Sequence, residues 1–465
     1  MNTVDPDASR EPDPNGGRDP DPDTGPDQVS VGVLSLHNSK ETKAICNAVA
    51  ALGHEPRWLR RENTTLRMGP GGTGLEPDVD VVANRLLLSK STAPCEELGL
   101  AHAIKQVRPM LNTPDATLTA MHKVASGAAL ADAGVPVPDA LFALSSARLN
   151  LEREAFGEEL VYKTAIGTNG GGTWKLDATE SVNARVGNRY AFLQSLLDPP
   201  GDRTRDLRVY VVGDEVVGSM FRYASESEWR TNVALGGQVE DAAGEVPDEV
   251  IATARRAVDA VGLDYAGVDL MEGADGWYVL EVNPTAGFKG LFEATGTSPA
   301  PYIARLAVER AGGSVDDGLV ADLSATLDDS VPECKPRPVT DRSETPLVIG
   351  YTEEVVISGT SGSETVVAKS DTGANRTSID TRLAADIGAG PIKSITKVRS
   401  GSQKSSKSRP LVDVVVGVGG SRHTVTASVE DRSHMNYPVI LGRDILGDYQ
   451  VDVSRQADRE ADDEA

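Results

Sequence analysis

Residues 264–290, DYAGVDLMEGADGWYVLEVNPTAGFKG, constrain the fold more tightly than any other stretch of this 465-residue chain. Two short apolar runs flank Gly273-Ala274-Asp275-Gly276, a composition that turns them back on each other as a β-hairpin. Strand residues two apart share a face, so Glu281 and Asn283 lie on one side and Asp269 can come opposite them from the partner strand. Three hard oxygen donors gathered this way suit Mg²⁺ (or Mn²⁺), which keeps part of its water and bridges phosphate oxygens. A solvated acidic hairpin would carry the same residues, so the reading turns on what lies upstream.

Upstream, a strand ending in Lys163 runs into Gly167-Thr168-Asn169-Gly170-Gly171-Gly172-Thr173, and a second lysine, Lys123, lies on a helix before it. Glycines let backbone N–H groups wrap around phosphate oxygens without Cβ clashes. The loop is not a Walker A sequence, because no Gly-Lys-Ser/Thr follows. Lysines, glycine loop and a carboxylate-amide cluster, in that order, resemble the RimK family of ATP-dependent glutamate ligases. The likeness runs over about residues 29–312, through Lys123, Lys163, GTNGGGT, Asp206-Leu207-Arg208, Arg230-Thr231-Asn232, AGVDL and EVNPTAG.

The resemblance implies an ATP-grasp fold and assigns roles. Lys123, Lys163 and Arg230 contact phosphates, Gly170, Gly171 and Gly172 form the lid over ATP, and the backbone at Ser195 and Leu196 meets the adenine. Asp206 and Asn232 complete the nucleotide site, Arg230 also serves catalysis, and Asp269, Glu281 and Asn283 hold the metal. Two departures stand out: Gln194-Ser195 where the family has Gln-Glu, and Pro284-Thr285-Ala286-Gly287 where relatives have Ala-Ser-Pro-Gly. The implied reaction joins glutamate or a similar amino acid to an acceptor protein tail or coenzyme.

Composition narrows the class. With 46 basic and 70 acidic residues, the net charge of -24 argues against a nucleic-acid or anionic-membrane partner. Arginine outnumbers lysine 32 to 14 and both ends are Asp-rich, a halophilic-type acidic surface suited to high salt, where screening removes self-repulsion. Cys46, Cys95 and Cys334 show no paired spacing, no apolar run reaches bilayer length, and the first residues lack a signal peptide's basic and apolar regions. A cytoplasmic location follows as the expectation.

The order of elements predicts an α+β multidomain chain. Residues 1–28 read as a disordered acidic tail, 29–110 as a small α/β pre-ATP-grasp domain, 111–313 as the ATP-grasp domain and 314–345 as a linker. Within them, Asn38 with Glu41 is the expected cap of the first helix, and residues 114–132 are expected as one helix. Residues 346–455 turn to short Val/Ile/Thr-rich strands between Gly/Ser turns, before an acidic tail at 456–465.

This last region carries Asp371-Thr372-Gly373-Ala374 and Val439-Ile440-Leu441-Gly442-Arg443-Asp444. These motifs resemble retropepsin-like aspartic proteases, and more closely the RimB-like domain also called an ATP-dependent zinc protease, and they imply an all-β barrel with Asp371 catalytic. No HExxH is present and His423 and His434 are not at metal spacing, so zinc finds no support in the sequence. Such chemistry needs two carboxylates sharing a proton. Asp380, Asp386 and Asp413 lack the Thr-Gly of a partner, which leaves Asp371 of a second chain and predicts a homodimer through this domain. Principal peptidase activity with a regulatory ATP-binding half, or a binding module with decayed sites, are the alternatives to a ligase that also trims.

Overall fold

The computed structural model describes residues 28–91, 93–153, 159–167, 172–177, 179–200, 203–224, 231, 238–336, 347–398 and 407–457. The expected acidic tails lie almost wholly outside these residues. The chain divides into two compact units, Met1–Pro338 and Val339–Ala465.

The first unit begins with β1 (Ser30–Leu34), α1 (Lys40–Ala51), β2 (Glu55–Leu59), the small hairpin β3 (Thr65–Gly69) and β4 (Gly72–Glu76), then β5 (Val81–Asn84), α2 (Pro94–Lys105) and β6 (Met110–Leu111). Strands in the order β2-β1-β5-β6 make an all-parallel sheet, as the alternation of strand and helix demands. The buried stripe of α1 is Ala44, Ile45, Ala48 and Val49. Its cap is Ser39 and not Asn38: the Ser39 hydroxyl accepts from the Thr42 amide at 3.0 Å.

Residues 114–132 form two helices, α3 (Pro114–Met121) and α4 (Lys123–Asp132). His122 leaves the helical region (φ -91°, ψ 99°) and its ring Nδ1 accepts from the Ala125 amide, so it caps α4. The freed amide of Lys123 donates to the Ala165 carbonyl at 2.8 Å, just beyond the strand bearing Lys163. A tertiary hydrogen bond therefore breaks a helix that the local pattern would continue.

Next come β7 (Ala140–Leu141), α5 (Ser146–Glu152), β8 (Glu159–Thr164), β9 (Thr173–Asp177), β10 (Arg185–Val186) and β11 (Arg189–Ser195), in a small sheet ordered β10-β11-β8-β9 with β7 on β11. A larger antiparallel sheet, β14-β13-β12-β15-β16, is built from β12 (Arg205–Val212), β13 (Glu215–Tyr223), β14 (Gln238–Asp241), β15 (Tyr265–Gly273) and β16 (Gly276–Asn283), with α6 (Asp248–Val261) between β14 and β15. Its two faces follow the period of two. Leu207, Val209, Val211, Val268, Leu270 and Val282 pack on α6, while Tyr210, Val212 and Tyr265 pack with α1 and with α8 (Ala300–Arg310), which follows α7 (Lys289–Thr295). Each fully buried Val or Leu stabilises this arrangement by about 1.5–3 kcal/mol.

Part of the expected linker is structured. Asp316 caps α9 (Asp317–Ser324), and Val320 is buried in the cluster that holds α1 and α8. Asn47 of α1 also donates to the carbonyls of Asp328 and Ser330. One short apolar patch is enough to dock a helix on an existing core.

The second unit contains β17 (Leu347–Ser358), β18 (Ser363–Ser370), β19 (Ser378–Asp380), α10 (Thr381–Asp386), β20 (Ile392–Val398), β21 (Lys407–Val418), β22 (Ser421–Glu430), β23 (Val439–Leu441), α11 (Arg443–Leu446) and β24 (Tyr449–Gln456). Pairing runs β21-β22-β19-β23-β18-β17 and closes from β17 back to β21, giving a six-stranded barrel around Ile349, Val355, Ile357, Val414, Val416 and Leu441. Closure removes two free sheet edges.

Candidate active site

The hairpin of β15 and β16 has its turn at Ala274-Asp275, and Asp269 faces Glu281 while Gly267 faces Asn283. A bulge between Asp269 and Leu270 puts one extra residue, Leu280, on β16 and lets the polar row continue on one face. The structure thus brings the three candidate metal ligands together.

The two carboxylates are also tied to bases of this chain, and Asn283 to one of the carboxylates. Asp269, 5 % exposed, takes Arg208 as a fork, Nε to Oδ1 at 2.6 Å and Nη2 to Oδ2 at 2.7 Å. Arg222 Nη2 lies 3.0 Å from the same Oδ2, and Asn283 Nδ2 donates to it at 3.2 Å. Burial pushes the Asp269 carboxyl up, but the Arg208 and Arg222 charges outweigh it and hold it below its ordinary value. Glu281, still 31 % exposed in its side chain, accepts from Lys123 Nζ.

In type the set fits a divalent cation: two carboxylates and an amide, all offering oxygen, on one face. Asp269 keeps Oδ1 lightly used, with one hydrogen bond, while Oδ2 receives three groups. Among the described residues no cluster of three His, Cys, Asp or Glu side chains forms a metal set, so this mixed set is the candidate.

Lys163 projects from β8 beside this site and donates to Gln194 Oε1 on β11. Burial and the Lys123 charge hold the Lys163 ammonium down to about 8, with Glu281 acting against them. Two lysines from distant parts of the chain thus feel each other and one carboxylate. Across the loop after β8, Gly172 has φ +80°, and a Cβ there would stand 2.5 Å from Thr164 Oγ1. Only glycine fits. Gly170, Gly171, Arg230 and Asn232 lie outside the described residues.

Asp206, expected in the nucleotide site, is held by two side chains of this chain. It is 4 % exposed, with Oδ1 accepting from Arg222 Nε at 2.7 Å and Oδ2 from Arg222 Nη2 and Thr231 Oγ1, each at 2.5 Å. Burial raises its carboxyl, and the Arg222 charge opposes the rise. Asp206 therefore orients Arg222, which in turn reaches Asp269. At the adenine-side position, the Ser195 amide donates to Asp139 O at 2.9 Å. Arg208, Gln194 and the Arg222 bridge were not assigned from sequence. Strand spacing puts Asp206 and Arg208 on one face, but only the register Arg208–Asp269 and Asp206–Arg222 reveals the partners.

In the second unit β18 and β23 run parallel, Ser370 beside Leu441, so the Asp371-Thr372-Gly373 loop lies against Gly442-Arg443-Asp444. Thr377 donates its amide to Asp444 at 2.9 Å and its hydroxyl at 2.8 Å, and the Gly442 amide donates to Thr377 Oγ1 at 3.1 Å. A Cβ on Gly442 would stand 2.4 Å from the Arg376 carbonyl carbon, which explains the glycine. Asp371 Oδ1 accepts from the Gly373 amide at 2.9 Å, while Thr372 and Gly373 are exposed. Asp380 caps α10 and accepts from the Arg432 amide, and Asp413 binds Lys393 and Thr426.

The RimK-like ATP-grasp domain family matches residues 120–306, and the retropepsin-like aspartic endopeptidase RimB family matches 388–461, a span that begins after Asp371. A tetrahydromethanopterin:alpha-L-glutamate ligase of Methanocaldococcus jannaschii is 34% identical over 39% of this chain and 64% of its own length. A probable alpha-L-glutamate ligase of Hahella chejuensis is 30% identical over 57% of this chain and 91% of its own. The solved structure of the ATP-grasp ligase PsnB with a minimal precursor has the same fold, with a TM-score of 0.50 at 24% identity over 61% of this chain and 99% of that one. Carried by a match over nearly the whole Hahella protein, the chain belongs to the RimK-like ATP-grasp family of alpha-L-glutamate ligases and bears a RimB-like retropepsin-like barrel after it.

Proposed function

We propose that the first unit joins an amino acid, glutamate by the relatives' names, to a carboxylate by way of an acyl phosphate. A carboxylate oxygen attacks the terminal phosphorus of ATP and ADP leaves; an amine then attacks the acyl carbon and phosphate leaves. The observation that carries this reading is the meeting of Lys123 with Glu281, 158 positions apart, beside Lys163 and the Asp269–Asn283 face. Asp269, Glu281 and Asn283 would hold Mg²⁺ or Mn²⁺, which when bound neutralises charge on the transferring phosphoryl group. Lys123 and Lys163 supply positive charge to the phosphates, and Arg208, joined by Arg222 that Asp206 steers, keeps Asp269 ionised. Among the described residues no helix is long and apolar enough to cross a membrane.

Mass spectrometry of host proteins and coenzymes with and without the chain tests this proposal. Added glutamate on a defined acceptor supports it, and an unchanged inventory with active protein present contradicts it.

A second reading concerns the barrel. The Asp371 loop is clamped from behind by Thr377 and Asp444 while Thr372 and Gly373 face out, and Asp380 and Asp413 are committed to other partners. We infer that Asp371 pairs with Asp371 of a second copy, forming a peptidase that trims a glutamate-extended tail. Mixing Asp371→Asn chains with parent chains should lower glutamate release faster than the parent fraction falls. A proportional decline, or full activity of the pure variant, contradicts a shared pair.

A further inference from the structure

Asn112, which the reaction scheme does not use, sits between β6 and α3 with no exposed surface and φ +52°, in the left-handed region that non-glycine residues seldom adopt. Its side-chain amide makes every hydrogen bond that an amide can make. Oδ1 accepts from the amides of Asp264 at 2.8 Å and Tyr265 at 3.1 Å, and Nδ2 donates to the carbonyls of Tyr265 at 2.9 Å and, more weakly, Pro284 at 3.4 Å. The backbone is equally engaged: its N–H donates to Asp264 Oδ2 at 2.6 Å, and its carbonyl accepts from Asn84 Nδ2 at 2.8 Å and Thr117 Oγ1 at 3.0 Å.

These partners mark a place. Tyr265 begins β15 four residues before Asp269, with Asp264 just ahead of it, and Pro284 directly follows Asn283 at the end of β16. Asn112 thus grips both strands at the open end of the hairpin, opposite its turn, and ties them to β5 and α3. Arg85, buried beside it, also reaches the Pro284 carbonyl and stacks on Phe288. A strained conformation persists only where its surroundings over-determine it, and here the surroundings are the hairpin ends.

We propose that Asn112 is a positioning residue that fixes the open end of the β15–β16 hairpin, and with it the spacing of Asp269 and Asn283, to the N-terminal sheet. The proposal rests on the reading of Asp269, Glu281 and Asn283 as the metal set. Mn²⁺ is the probe, titrated into the full-length chain with ADP and read from the loss of the free-ion EPR signal. Asn112→Gly accepts the positive φ but lacks the amide. It should weaken Mn²⁺ at least tenfold while ADP measured without metal stays within twofold of the parent, a split that general loosening would not produce. Asn112→Asp keeps the acceptors for Asp264 and Tyr265 but cannot donate to the carbonyls, and should fall between.

Mn²⁺ affinity within twofold of the parent in a natively folded Asn112→Gly chain overturns the proposal. If that variant does not fold, parental Mn²⁺ affinity in Asn112→Asp overturns it equally. Glu281→Gln separates the two layers: parental Mn²⁺ binding there removes the metal set and the positioning role together. Loss of Mn²⁺ there, with none in the Asn112 variants, removes the positioning role alone.

Discussion

Nucleotide binding should weaken by about tenfold between pH 7 and pH 9, because Lys163 must be charged to meet a phosphate and its ammonium is held down to about 8 in the free protein. Desolvation and Lys123 both disfavour the charged form, and polyphosphate reverses that balance by supplying negative charge. If the bound state restores the ordinary value of 10.5 or more, the charged fraction before binding, about 0.9 at pH 7 and about 0.09 at pH 9, sets the ratio of affinities. That is about 1.4 kcal/mol. The sign is fixed by the direction of the shift: a group depressed in the free state takes up a proton on binding, about half a proton per event at pH 8. Calorimetry of ADP binding in buffers of different ionisation enthalpy reads the uptake directly. Affinity independent of pH, zero uptake at pH 8, or the same pH slope in Lys163→Met would refute the reasoning.

Asp206→Asn should destabilise the first unit by about 3–5 kcal/mol in urea unfolding, since it strips a buried arginine of its main partner; a loss below about 1 kcal/mol would mean Arg222 finds another anion. Asp444→Ala removes the acceptor of the Thr377 amide and hydroxyl, and should cost about 1–3 kcal/mol while speeding hydrogen exchange at residues 372–377. Unchanged exchange there would show that Gly442 packing alone holds the loop.

Much of the site was legible because strand chemistry is local. The period of two places Glu281 and Asn283 on one face before any contact is known, but regular pairing from the Gly-Ala-Asp-Gly turn would set Asp269 opposite Leu280, and only the bulge brings it opposite Glu281. Lys123 was harder. Nothing in residues 114–132 stops a helix at His122, and the break comes from the bond between the Lys123 amide and Ala165. Arg208 and Arg222 could be seen as basic residues, but their carboxylates emerge only from pairing between strands. Asp206 was visible as part of a motif, but its burial and its fork with Arg222 emerge only from the pairing of β12 with β13. Asn112 gave no signal at all: it depends on a positive φ and on partners more than 150 positions away. The helix α9 had a visible cap in Asp316, yet its short apolar patch made sense only against the core it joins.

The central claim, that the hairpin face drives phosphoryl transfer to a carboxylate, is tested most directly by ADP release with and without glutamate at saturating Mg²⁺. The parent chain, supplied with an acceptor found by mass spectrometry, should release ADP faster when glutamate is added, and Glu281→Gln and Asp269→Asn should each abolish that release although the chains remain folded. Turnover equal to the parent in both variants would contradict the account and take Asp269 and Glu281 out of the reaction.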